Sequence, residues 1–218
     1  SLIGISTVLG LPLVYRTSII VLLIGVVSFG IGIMYSFGPV PISRTPFGEI
    51  FSGVTMGFGI IFLSIYIHIH SLGILNIKYS LGNLIVNLNI IELFYIFIFS
   101  LPSVFCISNI MLANNICDIE DDIENQRYTL PIYIGAKNSL LIYKWLYYFV
   151  YIVIIALVII QVVPIWSFLV LLTFPIVNKN ISTFFQHQSK AETFSLAVKN
   201  FVIINCTYIV TLIIGVLF

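Results

Sequence analysis

Charge is what this sequence lacks. Only 8% of its 218 residues are Asp, Glu, Lys or Arg, against roughly 25% in an ordinary soluble domain. So few charges cannot cover a water-soluble body of this size, which excludes an ordinary soluble domain. Cysteine is scarce too. Cys106, Cys117 and Cys206 lie far apart with no CxxC pair, so no disulfide framework is implied and each reads as a small apolar side chain. The long runs are continuous rather than alternating, which favours helices over a membrane β-barrel. The net charge of +1 carries no basic excess, and no nucleic-acid partner is expected. Histidines are few. His68 and His70 are two apart, point in different directions on a helix, and read as membrane-edge residues rather than a metal pair.

Apolar residues are what is there. They make up 60% of the chain, and the mean hydropathy is +1.16. They fall in continuous runs over 17–37, 50–70, 89–112, 139–160, 163–178 and 201–218. A helix needs about 20 residues to cross the hydrocarbon core, and in lipid its backbone groups must pair within the segment. The pattern predicts an all-α, polytopic membrane bundle with six complete spans. Residues 1–13 read as the tail of a further span, apolar and without the basic leader of a signal peptide. The pair Gly53-x-x-x-Gly57 reads as close helix packing.

The polar breaks are unequal. Those at 38–49, 113–138 and 179–200 are long and charged, and alternation puts all three on one side. That side holds Arg44, Arg127, Lys137, Lys144, Lys179, Lys190 and Lys199, while Arg16 and Lys78 fall on the other. The positive-inside rule assigns the long loops to the cytoplasm. All the acids except Glu92 share that side. A transporter would place ionisable groups at mid-membrane. Here Glu92 is the one acid inside a run, near its end where it can snorkel, and Lys144, His68 and His70 also lie toward the ends of theirs, so that function class is disfavoured.

One stretch concentrates the chemistry: Asn114-Asn115-Ile116-Cys117-Asp118-Ile119-Glu120-Asp121-Asp122-Ile123-Glu124-Asn125-Gln126-Arg127. Packed carboxylates repel one another unless a cation is present. Asp118 and Asp122 are four apart. On a helix continuing out of the membrane they share a face, placed to hold Mg²⁺ against phosphate oxygens. Asn114 extends the same stripe. The alternative is a solvated charged loop, which the spacing, the Asn pair and the position at a helix mouth disfavour.

Asn114-Asn115-x-x-Asp118-x-x-x-Asp122, followed by Arg127-x-Thr129-Leu130-Pro131, resembles the second aspartate-rich motif of the UbiA superfamily of intramembrane prenyltransferases. Tyr35-Ser36-Phe37-Gly38-Pro39-Val40-Pro41, with Gly48-Glu49, resembles a segment of its 1,4-dihydroxy-2-naphthoate polyprenyltransferase branch. Lys190-Ala191-Glu192-Thr193-Phe194, with Ala197-Val198-Lys199-Asn200-Phe201, resembles a late loop of the same branch. The resemblance spans 1–218 as a single prenyltransferase domain. It implies a nine-helix bundle in the cell membrane with a cavity open to the cytoplasm and to lipid. It implies transfer of a polyprenyl chain from its diphosphate to dihydroxynaphthoate, with loss of CO₂ and diphosphate, giving demethylmenaquinone. Hydroxybenzoate or haem is the alternative acceptor.

In this reading Asp118 and Asp122 are catalytic and hold Mg²⁺ with Asn114. Arg127, Lys190 and Asn115 meet the diphosphate, and Tyr35 and Glu49 line the aromatic pocket. For Arg127 and Lys190 a helix-end or lipid-headgroup contact stays open. For Tyr35 an interfacial aromatic role stays open, and for Glu49 a loop-facing charge. The superfamily's earlier Asn-Asp…Asp motif has no counterpart here, since the only aspartates are Asp118, Asp121 and Asp122. About three N-terminal helices are therefore expected to be missing, and an inactive remnant is a further reading.

Overall fold

Apolar runs this long fold as helix because lipid offers no partner for a free N–H or C=O. The computed structural model describes residues 2–80 and 82–218, and the side chains of Leu2, Ile3, Lys78 and Ser80 are outside what it describes. Ser1 of the first run, Leu81 of the 71–88 break and the Lys78 side chain, counted above with the outer side, thus lie outside the described residues. Helix α1 (Leu2–Arg16) turns into α2 (Ile19–Ser36), whose first turn is capped by the Ser18 hydroxyl. Helix α3 (Gly48–Leu72) follows, then α4 (Ile90–Cys117), α5 (Ile119–Glu124) and α6 (Leu130–Ile134). The chain ends with α7 (Ala136–Ile159), α8 (Ile165–Gln186) and α9 (Phe194–Leu217). Among the described residues six helices, α2, α3, α4, α7, α8 and α9, are long and apolar enough to cross a membrane.

These are the six expected spans, but most run past the limits of the apolar sequence. Helix α4 extends through Asn114 and Asn115, and α9 starts at Phe194 rather than 201. Once started, a helix continues into the polar layer because each added residue gains a backbone bond. Helix α8 starts as a 3₁₀ segment over Ile165–Thr173. One feature was not expected: residues 75–88 form a hairpin. Strand β1 (Leu75–Ser80) pairs antiparallel with β2 (Asn83–Leu88), with Leu75 opposite Leu88. Gly82 at φ +83° supplies the left-handed backbone of the turn.

Two cores share α4. The larger holds Cys106, Leu112, Tyr143, Tyr147, Val170 and Phe184. The smaller holds Ile20, Val21, Phe62, Tyr66 and Ile96. Helices α3 and α4 approach closely where α3 winds as a π-helix over Gly53–Gly59. A Cβ on Gly53 would lie 2.1 Å from Ser108 Oγ, and one on Gly57 would lie 2.6 Å from Val104 Cα. This is the small-residue packing the spacing predicted.

Gly57→Ala is therefore expected to cost about 1–3 kcal/mol, because the obstacle is backbone that cannot rotate away. Gly25→Ala, where a Cβ meets nothing within 4 Å, is the control. Unfolding midpoints in detergent check this: the first variant should fall well below the parent and the second should not.

Candidate functional site

The site grows out of the polar end of α4. That helix stops at Cys117 because Asp118 takes φ −103° and ψ 13°. The stripe was expected on one continuous helix; instead Asp118 is the joint between α4 and the short α5. The one-turn relation survives the break. Asp118 N–H donates to Asn114 O at 3.1 Å, and Asp122 N–H donates to Asp118 O at 2.7 Å.

Asn114 and Asp118 converge on one cation. Asn114 Nδ2 donates to Asp118 Oδ2 at 3.1 Å, which turns Asn114 Oδ1 outward. Lys190 Nζ donates to Asp118 Oδ2 at 2.5 Å and also to Asn114 Oδ1. Lys190 stands in the loop before α9, with its ammonium 5.3 Å from the Phe194 ring centroid. Buried Thr193 fixes that loop: its hydroxyl donates to His187 O at 2.9 Å and accepts from Ser189 N–H at 2.9 Å.

Asp122 has different company. Its side chain is 1% exposed, with Oδ1 3.0 Å from Arg127 Nη1. Its Oδ2 accepts from the Thr129 hydroxyl at 3.0 Å. The turn that returns Arg127 to Asp122 is a Schellman motif. Gln126 is left-handed at φ 52°, Arg127 N–H donates to Asp122 O at 2.8 Å and Gln126 N–H to Ile123 O at 3.2 Å. Burial pushes the Asp122 carboxyl above the usual carboxylate range, opposed by the Thr129 hydroxyl and the Arg127 charge. Arg127 Nη2 reaches Ser43 O at 3.4 Å, and Tyr128 N–H donates to Arg44 O at 3.1 Å. The three long loops thus meet on one face of the bundle, as alternation predicted.

Asn115, expected to face a diphosphate, is 2% exposed and turns inward. Its Nδ2 donates to Glu49 Oε1 at 2.8 Å, tying α4 to the start of α3. Glu49 is buried, and its Oε2 has no hydrogen-bond partner. Tyr35 closes the series. Its hydroxyl accepts from Ser52 Oγ at 3.2 Å and donates to Met111 Sδ at 3.4 Å. Below it lies a cavity of about 520 Å³ between α2 and α3, with Tyr35, Ser52, Thr55 and Met111 at its polar end and Ile60 and Leu63 deeper.

The structure therefore makes three groups of the predicted residues: Asn114, Asp118 and Lys190; Asp122 and Arg127; Asn115 and Glu49, with Tyr35 nearby. Sequence reasoning gave no role to Thr129, although it stands in the quoted Arg127-x-Thr129 pattern, nor to Ser52 and Met111. Two oxygens meeting at one ammonium fit Mg²⁺, which takes one or two carboxylates and completes its shell with phosphate oxygens and water. Among the described residues no group of three or more His, Cys, Asp or Glu side chains is placed to hold a metal. The fit is to a metal arriving with phosphate, not to an all-protein cage.

Fold and site define a multi-pass helical membrane protein whose loops gather carboxylate, amide and cationic groups above an apolar cavity. The chain belongs to the UbiA prenyltransferase family, which matches residues 1–204. It is similar to 1,4-dihydroxy-2-naphthoate octaprenyltransferase of Bacillus subtilis (strain 168), 31% identical over 185 residues, covering 85% of this chain and 53% of that protein. The chain spans about half the length of that curated relative. No solved structure matches it.

Arg127→Ala leaves Asp122 buried with one hydroxyl partner. The expected loss is about 1–3 kcal/mol. The Arg127→Ala/Asp122→Ala double variant should lose less than the sum of the single losses. Equilibrium unfolding of the four proteins in one detergent measures the coupling, and strict additivity would show that the pair does not interact.

Proposed function

We propose that this protein transfers a polyprenyl chain from its diphosphate to 1,4-dihydroxy-2-naphthoate. The carrying observation is the convergence of Asn114 Oδ1 and Asp118 Oδ2 on a single cation at the mouth of a membrane bundle. Family membership supports prenyl transfer, and the name of the similar Bacillus subtilis protein supports the acceptor. The prenyl C–O bond breaks with its electron pair leaving on diphosphate. A C–C bond forms at the ring carbon bearing the carboxylate, and CO₂ departs, leaving its bonding pair to restore the ring. The immediate product is the hydroquinone, demethylmenaquinol; the demethylmenaquinone expected from the resemblance forms from it only by a separate two-electron oxidation.

The residues divide this work. Asp118 and Asn114 supply oxygens for Mg²⁺, with Asp122 one turn further on. When bound, the metal neutralises charge building on the departing diphosphate. Lys190 and Arg127 add cationic contacts that strengthen as that charge develops, and Arg127 can bind phosphate through two N–H groups. A diphosphate offers Arg127 a second anionic partner beside Asp122. Asn115 keeps Glu49 and the end of α4 in register. Tyr35 and Glu49 flank the aromatic acceptor. The apolar walls under Tyr35 keep water from the allylic cation. The site faces the cytoplasm of the cell membrane, on the side carrying most of the basic residues.

Membranes holding the protein, given labelled polyprenyl diphosphate, dihydroxynaphthoate and Mg²⁺, are expected to form prenylated product and release CO₂. Chelation should stop the reaction. Product with 4-hydroxybenzoate but none with dihydroxynaphthoate would overturn the acceptor assignment. Asp118→Ala is expected to abolish turnover while the protein still inserts, as followed by membrane fractionation. Retained turnover would remove Asp118 from the metal site.

A further inference from the structure

Lys190 sits where a metal would. Its ammonium is held by the two oxygens, Asn114 Oδ1 and Asp118 Oδ2, that Mg²⁺ would use. The amide is already oriented for a cation, because its nitrogen is committed to Asp118 Oδ2 at 3.1 Å and its oxygen is left to accept. The Lys190 side chain is 48% exposed and that of Asp118 16%. This is a half-open ion pair, of the kind that contributes little to stability and exchanges readily. The Asp122–Arg127 pair contrasts with it: that carboxylate is 1% exposed and both its oxygens are engaged.

We propose that Lys190 is a tethered stand-in for the metal, which holds the Asn114–Asp118 site closed to a free divalent cation and yields it when a diphosphate arrives. The inference rests on the metal-site reading above and goes beyond it by setting the order of binding. Three steps lead to it. An ammonium and a Mg²⁺ ion cannot share the same two oxygens, so each excludes the other. The fraction of molecules with Lys190 in place lowers the apparent affinity for free metal in proportion. A diphosphate supplies the ammonium with a stronger partner, because phosphate oxygens carry more charge than one carboxylate. Lys190 then moves from competitor to ligand, and metal and diphosphate enter together. The Phe194 ring, 5.3 Å from the ammonium, adds a cation–π contact to the held position. The benefit is an acidic helix mouth that stays neutralised between turnovers without trapping metal.

The signature is a crossover. Lys190→Met keeps the length of the side chain and removes its charge. Titration of the purified protein with Mn²⁺, followed by electron paramagnetic resonance, is expected to show free Mn²⁺ binding roughly three- to tenfold tighter in Lys190→Met than in the parent. With inorganic diphosphate present the order should invert, the variant binding the Mn²⁺–diphosphate pair more weakly. Asp118→Asn should remove the bound signal in both backgrounds. A purely structural role for Lys190 would shift both titrations the same way. Equal affinity of parent and Lys190→Met for free Mn²⁺, with binding still dependent on Asp118, would overturn this inference and leave the metal site standing. Absence of Asp118-dependent Mn²⁺ binding in every sample, with diphosphate or without, would overturn both.

Discussion

A carboxylate taken out of water must find a partner, and at the polar end of α4 three of them do so in three directions. Glu49 takes Asn115, Asp122 takes Arg127 and Thr129, and Asp118 takes Asn114 and Lys190. Each partnership ties α4 or its continuation to a different segment. Asn115 fastens the start of α3. Arg127 goes on to Ser43, in the loop between α2 and α3. Lys190 brings in the loop before α9. The loops converge because the cost of an unpaired buried charge exceeds the entropy of ordering them.

Depth decides which carboxylate holds and which exchanges. Asp122 is enclosed, and its partners arrive through a turn fixed by two backbone bonds, so it anchors the cap. Asp118 is reached by a half-exposed lysine on a loop, so its partner can be replaced by a comparable cation. A sequence shows two aspartates one helical turn apart and nothing of this difference. Spacing sets direction around an axis; burial depends on loops far off in the chain.

The same division explains what the sequence made legible. Continuous apolar runs have one stable answer in lipid, so all six spans were readable, and so was the shared face of the long loops. The helix ends were not, because Asn114–Cys117 and Phe194–Asn200 are polar enough to resemble loop yet continue helices that lipid has already nucleated. The hairpin was legible in principle, because Leu75-Asn76-Ile77-Lys78-Tyr79-Ser80 alternates apolar with polar and Gly82-Asn83 marks a turn; it was missed because the stretch was read only as a lightly charged break between spans. The Schellman turn was hidden because Gln126, not glycine, takes the left-handed position. Asn115 stands beside Asn114 in sequence, yet adjacent helical residues point about 100° apart, which sends one to the cation and the other to Glu49.

Packing inside the membrane and chemistry at its edge are joined through α3. Gly53 sits against Ser108 and Val104 so closely that no side chain fits, and Ser108 donates to the Glu49 carbonyl at 3.0 Å. The contact that lets α3 and α4 touch thus also sets the height of Glu49 against Asn115. The π-helical winding of Gly53–Gly59 falls in this stretch. Such winding widens a turn and re-aims the residues beyond it, a departure frequent at functional sites. Here it accompanies Thr55 and Met56 facing the cavity under Tyr35 while Gly53 and Gly57 face α4. Residues four apart share a face in a regular α-helix as well, so the division between the two neighbours follows from the spacing of the two glycines. The glycines are therefore part of the site's construction, although none of them carries chemistry.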